Sequence, residues 1–81
     1  MDTKRLTAKI YGRVQGVGFR YAAHEKGKSL DLKVVARNEP DGSVYVEAEG
    51  KEENLKKLLE WCHKGPWSAK VERAEGKFSD A

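Results

Sequence analysis

The chain has 81 residues, 38% of them hydrophobic and 36% charged, with 16 basic against 13 acidic residues, a net charge of +3 and one cysteine. This length fits one small domain over residues 1–81, burying roughly 60% of its unfolded surface around a single thin core. The mild positive balance suits a small anion as well as it suits nucleic acid, and the lone Cys62 excludes an internal disulfide or a Cys-based zinc site within one chain.

Residues 6–14 alternate, with Leu6, Ala8 and Ile10 on one face and Thr7, Lys9, Tyr11 and Arg13 on the other. A period of two predicts a strand with one buried face. "GRVQGVGFR" follows, with three glycines in seven residues. From Phe19 the spacing becomes helical, through Ala22, Ala23, Lys26 and Leu30, so a helix is expected over residues 20–30. Gly27 falls inside it, at an expected cost of up to about 1 kcal/mol relative to Ala. "LKVVARN" is rich in β-branched residues and predicts a second strand over 32–38. Pro40 and Asp41-Gly42 then signal a hairpin turn into a third strand, with Val44, Val46 and Ala48 inward.

Residues 51–64 form an amphipathic helix with Leu55, Leu58, Leu59 and Cys62 as its apolar stripe. Its first turn is acidic and its last is basic, as the helix dipole favours, and Gly65-Pro66 ends it. A fourth strand over 68–78 turns Ala69 and Val71 inward. The order βαββαβ predicts an α+β, ferredoxin-like two-layer sandwich: a four-stranded antiparallel sheet with two helices on one face.

That fold hosts many functions. An RNA-recognition module shares its strand order and stacks bases on aromatics of the central strands. Tyr11 and Tyr45 occupy the open face here, but Glu47 and Glu49 beside them repel phosphate, so no nucleic-acid partner is expected. His24 and His63 read as solvated side chains on different helices, and Cys62 as a core residue. Neither a metal site nor a cofactor is expected. The first ten residues lack the apolar core of a signal peptide. No stretch approaches the roughly 20 apolar residues of a membrane span. The expectation is a cytoplasmic protein without a membrane partner, and a monomer.

The glycine turn carries the chemistry. It lies between a strand end and a helix start, where successive main-chain N–H groups can converge on an anion and the first helical turn adds unpaired donors. Gly16 and Gly18 permit the backbone angles such a nest requires. Arg20 can fold its planar fork over two phosphate oxygens. The spacing is neither a Walker loop nor a dinucleotide fingerprint. Glycine spacing alone leaves open a plain flexible turn beside a surface arginine.

"GRVQGVGFR" resembles the signature loop of the acylphosphatase family at Gly12, Val14, Gln15, Gly16, Val17, Phe19 and Arg20. A second block, "RNEPDGSVYVEAEG", places Asn38, Gly42, Val44 and Gly50 at the family's spacing. "LLEWCHKGP" and "AKVER" are also similar to it. Three positions depart: Val34 and Val35 stand where the family has glycine and then an aromatic, and Asp31 where it has glycine. These departures bear on the second strand's packing and on the turn into it.

The resemblance implies metal-free hydrolysis of an acyl phosphate to a carboxylate and inorganic phosphate. In that expectation Gln15, Gly16, Val17, Gly18, Phe19 and Arg20 hold the phosphoryl group, and Arg20 and Asn38 are catalytic, Asn38 by orienting the attacking water. The other reading is a non-catalytic ferredoxin-like module that binds an anion or RNA. It needs Arg20 but has no use for Asn38.

Overall fold

The computed structural model describes residues 3–81. Met1 and Asp2, part of the segment read for a leader, lie outside the described residues. The elements run β1 (Thr3–Arg13), α1 (Phe19–Ser29), β2 (Lys33–Asn38), β3 (Val44–Lys51), α2 (Glu52–Lys64) and β4 (Lys70–Asp80). They form one four-stranded antiparallel sheet in the order β2-β3-β1-β4, the predicted α+β ferredoxin-like arrangement. Element ends differ from expectation by at most three residues. At β1 the alternating pattern continues back to Thr3, because Lys4 and Arg5 pair with Gly50 and Glu49.

The core lies between the sheet and the helices. Leu6, Ile10, Val44 and Val46 face Leu55, Leu58 and Cys62 across it. The alternation along β1 and β3 and the stripe on α2 therefore meet as their periodicities require. Leu59 is only partly buried, at the edge of the core. Among the described residues, no helix is long and apolar enough to cross a membrane.

The expected cost of Gly27 is overturned by what lies opposite it. A Cβ at that position would sit 2.2 Å from Val34 Cγ2 on β2. The glycine is the notch that receives Val34, so the branched side chain that departs from the family pattern is seated in the helix beside it. Gly27→Ala should destabilise the fold by about 1–3 kcal/mol through overpacking. Combining it with Val34→Ala should recover about 1 kcal/mol or more of the lost coupling. Denaturant midpoints of the two single variants and the double variant measure this, and simple additivity would refute the notch. Asp31 adopts φ 57, the left-handed region. That explains why glycine suits the position, and the short polar side chain of Asp tolerates it.

Candidate active site

β1 ends at Arg13, and the chain turns through residues 14–18 into α1. Val14 is fully buried and anchors the start of the turn. Phe19 anchors its end, with a ring buried against Trp61 at a centroid distance of 5.3 Å. Between these anchors Gly16 and Gly18 take φ values of 74° and 80°. A Cβ at either would meet nothing within 4 Å. The glycines are there for backbone angle, and the space above them is open.

Two features leave this turn short of partners. Among the described residues, the main-chain N–H groups of residues 15–18 have no hydrogen-bond acceptor. No side chain caps α1 either, and its first turn contains no acidic residue. Arg20 instead puts a cation at the positive end of the helix dipole. The second helix is ordinary by contrast, with Glu52 and Glu53 in its first turn. Reversed polarity at α1, with uncapped donors, is an arrangement that an anion completes.

The turn opens into a cavity of about 340 Å³ between the start of α1 and the end of β2. Gly16 and Gly18 line its floor, Arg20 one wall and Asn38 the other. The strand, the turn and the helix thus bring the two expected catalytic side chains together across about 18 residues of sequence. Among the described residues, neither the Arg20 guanidinium nor the Asn38 amide has a side-chain partner. Arg5 and Arg37 are tied to Glu49 and Glu39. Arg20 thus keeps its fork for a ligand.

Gln15 and Val17 are placed differently from the rest of the expected binding set, since neither lines the cavity. The Gln15 side chain donates to the carbonyls of Glu39 and Ser43, at 2.8 and 2.9 Å. It ties the turn to the β2–β3 hairpin and so fixes Asn38 relative to Gly16. Val17 packs against the core, and its carbonyl accepts a hydrogen bond from Ser68 Oγ at 2.6 Å. Both side chains thus hold the turn in place from outside the cavity.

The hairpin is itself braced. Asp41 accepts from the Ser43 hydroxyl and main-chain N–H, and sits 3.1 Å from Lys9. The Ser43 hydroxyl, then its N–H, then Lys9 pull the Asp41 carboxyl down to about 2.

Sequence reasoning missed Tyr21, His24 and Ala36 as cavity residues. The signal for His24 was available: it stands four residues after Arg20, hence on the same helix face. Ser68 gave no local signal, because its partner lies 51 residues away. Elsewhere the other candidates fall away. Burial pushes the Cys62 thiol up to about 12, which keeps it from acting as a nucleophile. On the open face of the sheet, Arg37 covers Tyr45 and Arg73 covers Tyr11, at 4.2 and 4.0 Å from the ring centroids. A nucleotide base would have to displace a guanidinium to stack on either ring. Among the described residues, no group of His, Cys, Asp or Glu is placed to hold a metal ion.

Fold and site define a ferredoxin-like sandwich with a glycine-rich, uncapped turn between its first strand and first helix. Residues 6–81 match the family model described as Acylphosphatase. The chain is 49% identical over 78 residues to an acylphosphatase of Salinibacter ruber, covering 96% of this chain and 82% of that protein. It is 41% identical over 80 residues to one of Thermococcus kodakarensis, covering 99% and 88%. The crystal structure of acylphosphatase from Bacillus subtilis superposes with a TM-score of 0.91 at 32% identity, covering 96% of this chain and 87% of that one. The chain belongs to the acylphosphatase family, a family of enzymes.

Proposed function

We propose that this chain hydrolyses the carboxyl–phosphate bond of acyl phosphates, releasing a carboxylate and inorganic phosphate, with the roles divided as follows. The N–H groups of the 15–19 turn and the Arg20 fork hold the phosphoryl oxygens. They neutralise the dianion on binding and its spreading charge in the transition state. Asn38 holds a water in line with the departing carboxylate, its amide both donating and accepting. A carboxylate is a good leaving group, so no strong general acid is required, and the water's proton passes to the phosphoryl oxygens. No resident metal or cofactor enters these steps.

The observation that carries this reading is the shared cavity: Gly16 and Gly18, with N–H groups unpaired among the described residues, line the same space as Arg20 and Asn38, whose side chains have no partner among those residues. A pure anion binder gives Asn38 no task. One domain over residues 1–81, acting as a monomer in the cytoplasm on a small-molecule substrate, completes the reading.

The test is loss of ultraviolet absorbance from benzoyl phosphate, with inorganic phosphate as competitor. Competitive inhibition by phosphate is expected, and a protein that turns over no acyl phosphate is not a hydrolase. Asn38→Ala should lower kcat about 100-fold, the scale of losing one positioned reactant. It should change the inhibition constant for phosphate less than about threefold, because hydrogen bonds to the phosphoryl oxygens remain. Equal losses in both would assign Asn38 to phosphate binding instead.

A further inference from the structure

The cavity extends beyond what a phosphoryl group needs. At about 30 Å³ per water-sized group, 340 Å³ holds on the order of ten such groups. A phosphate takes about half of them, leaving room for about five heavy atoms of the acyl group inside and putting the end of a longer acyl chain at the mouth. This outer half is walled by α1 and β2. Tyr21 and His24 stand on the α1 side and Ala36 on the β2 side. His24 lies one turn beyond Arg20, about 6 Å further along the helix axis at 1.5 Å per residue. Among the described residues its imidazole has no side-chain partner.

The chemistry of the lining is one-sided. Its polar side chains (Arg20, Tyr21, His24 and Asn38) all have N–H or O–H groups to donate, and no carboxylate lines the cavity. Ala36 opposite offers only a methyl group. Attack by a water held at Asn38, on the β2 wall, sends the leaving carboxylate away from β2, toward the α1 wall where Tyr21 and His24 stand.

We propose that His24 is a specificity-determining residue that selects acyl phosphates whose acyl group carries a second anionic acceptor, a carboxylate at its far end. This rests on the hydrolase reading above. The imidazole N–H meets that carboxylate while the turn and Arg20 hold the phosphoryl group, and Tyr21 adds a second donor at the mouth. An acyl chain ending in a methyl group leaves both donors to water. No bond is made or broken at His24, so the role is one of binding.

Fumaroyl phosphate and crotonoyl phosphate make the comparison cleanly, because they differ only in a terminal carboxylate against a methyl group and neither can cyclise. The native protein should favour fumaroyl phosphate in kcat/KM. In His24→Ala the ratio of the two kcat/KM values should fall about three- to tenfold, the scale of one exposed charge-assisted hydrogen bond. In His24→Lys it should return to the native value or above. The ratio is insensitive to general damage, which affects both substrates alike. A ratio unchanged in His24→Ala, or not restored by His24→Lys, overturns this proposal and leaves the hydrolase intact. Turnover of benzoyl phosphate but of neither compound overturns the specificity proposal, and failure on all three overturns the hydrolase reading itself.

Discussion

Arg20→Ala should lower kcat/KM for benzoyl phosphate by about 10²–10³-fold, as removal of a preorganised charge-stabilising donor does elsewhere. It should also abolish measurable inhibition by inorganic phosphate. The magnitude follows from geometry. Arg20 is the cation lining the cavity, it has no acidic partner among the described residues, and it stands where the helix dipole disfavours positive charge. Its loss removes up to two charge-assisted bonds, each about 1.5–3 kcal/mol. Arg20→Lys should recover less than about tenfold, because a single ammonium lacks the planar fork. The unfolding midpoint should stay the same or rise slightly, since an unfavourable charge leaves the first turn of α1. Near-native hydrolysis in Arg20→Ala, measured by steady-state kinetics, would remove this residue from the mechanism.

The second large effect concerns folding. Gly12 has φ 126 and sits where the β1–β4 register shifts, with Tyr11 opposite Arg73 and Gly12 opposite Val71. A Cβ there would lie 2.2 Å from the Lys70 carbonyl oxygen and 2.8 Å from the Glu72 nitrogen. Both obstacles are backbone, so no rotamer change relieves them. Gly12→Ala should cost about 3–5 kcal/mol, combining a disallowed backbone angle of about 1–3 kcal/mol with overpacking of similar size. Stability for 81 residues is of the order of 4–12 kcal/mol, so the variant should lose a large part of it. Urea unfolding followed by circular dichroism measures this, and a loss below about 1 kcal/mol would show that the bulge rearranges freely. Gly16→Ala provides the contrast: it has no clash, only strain.

How far the sequence revealed this protein depends on the distance between interacting residues. The buried faces of β1 and β3 and the α2 stripe were legible because each is a repeat within one element. The glycine turn was legible as a strand-to-helix connection from the change of period on either side of it, while glycine spacing alone left its chemistry open. What stayed hidden were pairs between elements. Gly27 looked like a flaw in a helix until Val34 was placed against it. The Gln15 side chain gives no local sign that its amide spans to the hairpin, because its acceptors lie 24 and 28 residues away. His24 is exposed as expected, but one helix alone does not show which groove it overlooks. Asp31 needed its backbone angle before the preference for glycine there acquired a cause.

The arrangement around β1 has a kinetic consequence. Its two neighbours are β3 and β4, and the turn that follows it is latched by Ser68, so the cavity depends on segments made long after its own residues. On a ribosome the nest, Arg20 and Asn38 would all have emerged while β4 was still missing. Until that sixth element docks, the bulge at Gly12 has no partner strand and Val17 no latch. Such long-range closure is slow compared with local helix formation, so the nascent protein should remain unable to act until its fourth strand is in place.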